Sequence, residues 1–231
     1  MNGVFVTGTD TGCGKTRVSV ALMQVLQQRG LQVMGMKPVA AGAELVDGQL
    51  RNEDALLLQQ QASRAVAYGL VNPYVFEAAI APHLAAAKSG VAIDPDVIVE
   101  SCRQLAESAD VLVVEGAGGW RVPLGEDVDL SDLPKKLQLP VILVVGMKLG
   151  CINHARLTAE SIQQDGLDLV GWIANQIDPD MPSLQANIET LRQYLPAPCL
   201  GVVPFQAQND VSQFAVHLDA ELLPRQVQTG Q

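Results

Sequence analysis

Positive charge is scarce in this chain: 15 Lys and Arg stand against 25 Asp and Glu, giving a formal net charge of −10 and a pI near 4.6. That balance argues against broad electrostatic binding to nucleic acid or to an anionic membrane surface. Cysteine is sparse and scattered, and Cys13, Cys102, Cys151 and Cys199 form no CxxC pair. Neither a zinc site nor a disulfide framework is indicated, and a reducing cytosol fits best. No apolar run approaches the about 18 residues of a membrane span, and no basic segment with a long apolar stretch precedes the first strand. The expectation is a soluble, cytoplasmic chain without membrane or nucleic-acid partners. Internal repeats and low-complexity blocks are absent too. Charged residues make up only 17% of the 231, against 48% hydrophobic. Such a chain can bury a large core, and it reads as one α/β domain over 1–231 with 220–231 expected as a flexible tail.

What the chain does have is concentrated in Gly8-Thr9-Asp10-Thr11-Gly12-Cys13-Gly14-Lys15-Thr16, between an apolar strand around Val4, Phe5 and Val6 and a helix beginning near Thr16. A phosphate chain is gripped where backbone N–H groups converge and side chains stay clear, which glycines ahead of a helix N-terminus provide. Lys15 would reach the β- and γ-phosphates and the Thr16 hydroxyl would ligate Mg2+. The loop is a variant of the usual pattern. Where that pattern wants a glycine, five residues before Gly14, this chain has Thr9, with Gly8 one place earlier.

Downstream, Val18, Ala21, Leu22, Val25 and Leu26 recur at helical spacing and Gly30 can end the helix. Residues 31–36 read as a second strand, delivering Lys37-Pro38-Val39 at its C-terminal end, where open α/β sheets place their ligands. A lone lysine in that position is otherwise a solvated surface charge. Residues 40–51 read as a loop before a helix starting near Asn52-Glu53-Asp54. Asp54, in its first turn, is either an acid favoured by the helix dipole or an oxygen ligand for Mg2+. Asn72-Pro73-Tyr74 and Ala81-Pro82-His83 punctuate short elements, and Asp94-Pro95 opens a helix to about Glu107. The apolar run 111–114 reads as a strand buried on both faces, ending in Glu115-Gly116-Ala117-Gly118-Gly119. An acid there is either a structural residue before a turn or, as in P-loop proteins, one that holds or orients Mg2+ and attacking groups, with the glycines letting substrate approach closely. Residues 141–145 repeat the buried-strand pattern and run into Gly146-Met147-Lys148-Leu149-Gly150-Cys151-Ile152-Asn153-His154. That helix N-terminus either holds a carboxylate or phosphate or is a simple connection. A strand at 169–174 ends at Asn175, a helix covers 184–194, and a last strand at 200–203 precedes Pro204-Phe205. The fold expected is a P-loop NTPase-like, three-layer α/β/α arrangement around a mainly parallel sheet.

With these residues placed, the chain resembles the dethiobiotin synthetase family almost end to end. The matching pieces are Phe5-Val6-Thr7-Gly8-Thr9-Asp10-Thr11 with Gly14-Lys15-Thr16, Lys37-Pro38-Val39, Asn72-Pro73-Tyr74, Pro82-His83, Val114-Glu115-Gly116-Ala117-Gly118-Gly119-Trp120, Leu149-Gly150-Cys151-Ile152-Asn153-His154, Gly171-Trp172 and Ala174-Asn175. The resemblance implies an ATP-dependent ligase of biotin biosynthesis that converts 7,8-diaminononanoate and CO2 into dethiobiotin, with ADP and phosphate released. It implies catalytic roles for Lys37 and Lys15, and Mg2+ ligands in Thr16, Asp54 and Glu115. It places ATP against Gly12, Cys13, Gly14, Lys15, Thr16, Arg17, Asp54, Glu115, Gly116, Ala117, Gly118, Asn175, Gln176, Pro204, Phe205 and Gln206. Substrate contacts fall on Thr11, Lys37 and Ala41, and the family's homodimer implies that Gly150, Cys151 and Asn153 hold the substrate carboxylate of the partner subunit's site.

Two positions depart from the family pattern. A serine hydroxyl that commonly contacts substrate is replaced by Ala41, and the loop's variable pair is Gly12-Cys13 in place of bulkier or acidic residues. Two other readings compete. One is a different ATP-dependent synthetase on the same scaffold, such as an amidotransferase-type enzyme, which would need an ammonia source. The other is a non-catalytic nucleotide switch, whose signature loop lysine is here Asp10.

Overall fold

A computed structural model describes residues 1–205 and 212–229. In chain order the elements are β1 (Gly3–Gly8), α1 (Lys15–Gln28), β2 (Val33–Met36), β3 (Val39–Ala41), β4 (Glu44–Val46), β5 (Gln49–Arg51), α2 (Glu53–Gln61), α3 (Tyr68–Val71), β6 (Tyr74–Phe76), α4 (Pro82–Lys88) and α5 (Pro95–Ala106). There follow β7 (Val111–Glu115), α6 (Asp132–Leu137), β8 (Val141–Met147), α7 (Cys151–Gln164), β9 (Leu169–Gln176), α8 (Leu184–Tyr194), β10 (Cys199–Val203), α9 (Ser212–Ala215), a 3-10 turn at Ala220–Leu222 and α10 (Arg225–Thr229).

Six strands form one parallel sheet in the order β10-β9-β8-β1-β7-β2. Period-two alternation splits their side chains between two cores. Phe5, Leu112, Val114, Leu143 and Ala174 face one, packed by α5, α6, α7 and α8. Val4, Val6, Val113, Ile142 and Ile173 face the other, packed by α1, α2, α3 and α9. Apolar residues on both faces explain why the strands read as continuous runs, and helices on both faces make the three layers. No helix among the described residues is long and apolar enough to cross a membrane.

The topology decides where the site lies. The chain leaves β1, builds β2, returns to insert β7 between them, then continues with β8 on the far side of β1. The C-terminal ends of neighbouring parallel strands therefore converge on the end of β1, the switch point at which such sheets open a crevice.

Two parts of the fold differ from expectation. Residues 40–51 are not a loop: β3 pairs in parallel with β6, and β4 and β5 form an antiparallel hairpin. The hairpin turns on Asp47-Gly48, with φ of 50° and 75°, the positive values a tight two-residue turn needs. Asp-Gly between Leu45-Val46 and Gln49-Leu50 was the readable signal. Helix α6 was not anticipated either, being six residues long with a proline inside it, and it is fixed by burial of Leu133 and Leu137.

Candidate functional site

The loop between β1 and α1 is shaped by what its glycines leave out. Gly14, the N-cap of α1, has φ 90°, and a Cβ there would sit 2.1 Å from Asn175 Nδ2. Both the left-handed backbone and the close approach demand glycine. Asn175, at the end of β9, donates from Nδ2 to the Cys13 carbonyl at 2.9 Å, so the loop is held from beneath by a strand two places along the sheet. The Cys13 side chain is fully buried below the loop, and a Cβ on Gly8 would lie 2.3 Å from its Sγ. Cys13 therefore offers a ligand only its backbone.

The rest of the loop is anchored to β8. Thr9 N–H donates to Val144 O at 3.0 Å, and Thr9 Oγ1 accepts from Gly146 N–H at 3.2 Å. Asp10 accepts from its neighbour Thr11 N–H and pairs with Lys148 at 2.7 Å, a hydrogen bond that holds the Asp10 carboxyl below the ordinary carboxylate range. Lys15 is buried, and its ammonium donates to the Asp10 carbonyl at 3.1 Å. A phosphate oxygen, carrying full charge, is a stronger acceptor than that carbonyl.

Lys37 is no solvated surface charge. It is 4% exposed, and its Nζ lies 2.6 Å from Glu115 Oε1, 2.9 Å from Asp54 Oδ2 and 3.4 Å from the Gly116 carbonyl. Burial alone would push the Lys37 pKa down, but the two carboxylates outweigh it and raise it above the ordinary lysine value. Lys37 is an ammonium at neutral pH and not a general base. The same balance operates on Asp54: burial pushes its carboxyl up, and Lys37 more than reverses the effect. Asp54 owes its place to Asn52, whose side chain caps α2 by accepting from Ala55 N–H.

Glu115, at the end of β7, is completely buried. Its Oε1 accepts from the Thr16 hydroxyl at 2.8 Å as well as from Lys37, while Oε2 has no hydrogen-bond partner. A buried carboxylate oxygen without a partner is costly, and a cation would satisfy it. Thr16, Asp54 and Glu115 form an all-oxygen donor set, which fits Mg2+. Among the described residues no group of three or more His, Cys, Asp or Glu could hold a metal ion. Two carboxylates and a hydroxyl suit an ion that keeps several waters and takes oxygens from substrate phosphates.

All of this opens into one cleft of about 1150 Å³. Of the residues singled out from the sequence, Thr11, Gly12, Gly14, Lys15, Thr16, Arg17, Lys37, Ala41, Asp54, Glu115, Ala117, Gly118, Asn175, Gln176, Pro204 and Phe205 line it. Gly116 does not, although its carbonyl meets Lys37. Gly150, Cys151 and Asn153 lie outside the cleft at the start of α7, and Gln206 lies outside the described residues. Sequence reasoning missed Arg121 and Phe214, both in the cleft wall. Arg17 holds its guanidinium 5.9 Å from the Phe214 ring centroid, a contact that no local spacing announces.

Residues 2–212 match the family described as an AAA domain. Among relatives, the ATP-dependent dethiobiotin synthetase BioD of Cellvibrio japonicus (strain Ueda107) is 52% identical over 215 residues, 93% of this chain and 94% of that protein. Its namesake from Pseudomonas aeruginosa (strain LESB58) is 52% identical over 220 residues, 95% of this chain and 96% of that one. Among solved structures, the MinC:MinD cell division protein complex of Aquifex aeolicus superposes with a TM-score of 0.57 at 17% identity, covering 93% of this chain and 86% of the other. The septum site-determining protein MinD of Pyrococcus horikoshii OT3, complexed with Mg-ADP, gives 0.52 at 19% identity, covering 88% and 82%. At such identities those two likenesses concern the fold alone. Identity of about half over nearly the whole length decides the family: the chain belongs to the dethiobiotin synthetases.

Proposed function

We propose that this protein is an ATP-dependent C–N ligase that makes dethiobiotin from 7,8-diaminononanoate, CO2 and ATP. The observation that carries the reading is the Lys37 ammonium, buried between Glu115 and Asp54 in the same cleft as the glycine-rich loop. Phosphoryl transfer asks a protein chiefly for positioning and charge neutralisation, and this site supplies both.

The backbone amides from Gly12 through Arg17, with Lys15, cradle the nucleotide phosphates. Asn175, Gln176, Pro204 and Phe205 form the edge that takes the base. Thr16, Asp54 and Glu115 would hold Mg2+, which neutralises phosphate charge when bound. One substrate amine adds CO2 and loses a proton to give a carbamate. A carbamate oxygen then attacks the γ-phosphorus as ADP leaves, and the second amine attacks the carbamoyl carbon of the mixed anhydride. That step forms the ring C–N bond and expels phosphate. Lys37, fixed as an ammonium, stabilises the negative charge shared between carbamate and γ-phosphate. Thr11 and Ala41 border the substrate.

The reading includes a cytoplasmic homodimer in which Gly150, Cys151 and Asn153 take the substrate carboxylate of the partner subunit's site. Their place at the N-terminus of α7 supports an anion there: the Cys151 N–H is taken by the Lys148 carbonyl at 3.0 Å, and the N–H groups of the rest of the first turn lack intrahelical partners. Leu149, 91% exposed beside them, would lie in that interface.

The test is phosphate release from Mg-ATP and bicarbonate with and without 7,8-diaminononanoate, with the organic product identified by mass. Diamine-dependent release with dethiobiotin formed is the expected result. Release that ignores the diamine, from protein that still binds ATP, would sink the substrate assignment and leave only nucleotide binding.

A further inference from the structure

Asn72-Pro73-Tyr74 contributes nothing to the cleft wall, yet Asn72 is buried and its side chain is hydrogen-bonded through both amide atoms. The direction of each bond follows from its neighbours. Asn52 N–H can only donate, so the Tyr68 hydroxyl accepts from it, at 2.8 Å. The Tyr68 proton is then available to Asn72 Oδ1, at 2.9 Å. Asn72 Nδ2 in turn donates to the Lys37 carbonyl at 2.6 Å and to the Tyr74 carbonyl at 3.1 Å. The Lys37 N–H donates to Val71 O at 2.8 Å. Both backbone polar groups of Lys37 are thus held by the C-terminal end of α3 and the residue that follows it. The other end of the relay, Asn52, is the cap of the helix that carries Asp54.

We propose that Tyr68 and Asn72 are positioning residues: the relay Asn52–Tyr68–Asn72 fixes the Lys37 backbone and the start of α2 relative to each other, and so sets the Lys37–Asp54 spacing. The proposal rests on the role given to Lys37 above. A buried network whose members are hydrogen-bonded to one another is rigid, whereas either terminus held by water would drift. The Arg51 guanidinium, 4.2 Å from the Tyr68 ring centroid, packs over the relay. Burial raises the Tyr68 hydroxyl pKa despite the opposing Asn52 N–H and Arg51, so it remains a donor at neutral pH.

Tyr68→Phe removes one oxygen from the relay and leaves the ring packing intact. Its kcat should fall about tenfold with the KM for ATP within about twofold, because misplacement acts on the transferring phosphoryl group and not on nucleotide capture. ADP binding without Mg2+, measured by calorimetry, should be unchanged, while the tightening of ADP binding by Mg2+ should weaken severalfold as Asp54 shifts. Asn72→Ser, measured beside it, should behave alike and guards against a folding failure of either variant. A lower melting temperature with wild-type kcat and a wild-type Mg2+ effect would reduce the relay to ordinary packing and overturn the proposal. Lys37→Gln, run in parallel, separates the two claims. Lost turnover in Lys37→Gln with intact Tyr68→Phe and Asn72→Ser leaves the function standing and removes the positioning role. Wild-type turnover in Lys37→Gln removes the role of Lys37, and the relay's purpose with it.

Discussion

Lys37 sits where two opposing effects meet, desolvation that would discharge it and two carboxylates that keep it charged, and the carboxylates prevail. The consequence is a fixed ammonium, held by Glu115 and Asp54, in the cleft that the glycine-rich loop borders. Position after a strand, which also fits a surface lysine, did not single out Lys37; the family resemblance of Lys37-Pro38-Val39 did. Glu115 was legible, because an acid closing a continuous apolar run has to lie at the end of a buried strand. Ala41 illustrates the reverse case. It lines the cleft as expected, but carries a methyl where the family resemblance implies a serine hydroxyl. One net hydrogen bond is worth about 0.5–1.5 kcal/mol, so Ala41→Ser should lower the KM for 7,8-diaminononanoate about two- to tenfold with the KM for ATP unchanged. Steady-state kinetics checks this, and an unchanged diamine KM would mean that no hydroxyl contact is missing.

At the scale of elements, the segment after β7 is held by a cluster that no periodicity announces. Asp165, at the end of α7, accepts from Trp120 Nε1 at 2.8 Å and pairs with Arg121 at 2.9 Å and Lys135 at 3.1 Å. Trp120 also meets Phe5 edge to face, with ring centroids 6.2 Å apart. The glycine strip that borders the cleft is thereby tied to both β1 and α7. Burial pushes the Asp165 carboxyl up, and the Trp120, Lys135 and Arg121 hydrogen bonds together hold it below 3.8. A depressed folded-state pKa contributes stability that is complete above the unfolded value and lost as the pH falls through the folded one. Asp165→Asn should therefore cost about 2 kcal/mol at pH 7, the scale of a charge-assisted hydrogen bond, and lose less than the parent on acidification below about pH 4. Urea unfolding at pH 7 and pH 3 reads both, and parallel acid dependence would show that Asp165 carries none of it. The buried strands β7 and β8 were legible in the sequence because a continuous apolar run is a local signal. The hairpin of β4 and β5, helix α6 and the Asp165 cluster were not, since short elements and contacts 30 or more residues apart are settled by tertiary packing.

For the whole molecule, the sheet order explains why one cleft gathers groups from β1, β2, β7 and β9, while the fold itself is shared with the MinD structures, which bear cell-division names. Fold therefore does not choose the reaction, and the side chains in the cleft must. The segment at Leu149 belongs to this scale, because Gly150, Cys151 and Asn153 lie outside the cleft described above. If a second copy brings them to the substrate, Leu149→Asp should shift the protein from dimer to monomer in analytical ultracentrifugation and raise the KM for the diamine at least tenfold while ATP still binds. A parent protein that sediments as a monomer with full activity would rule the shared site out.

In the proposed reaction the cleft carries the γ-phosphoryl group to an oxygen that came from CO2. Single-turnover reaction with 18O-labelled bicarbonate, unlabelled ATP and 7,8-diaminononanoate, followed by mass analysis of the released phosphate, tests it directly. Carbamate attack predicts that one 18O atom appears in phosphate for each dethiobiotin formed; dethiobiotin formed with unlabelled phosphate would contradict the account.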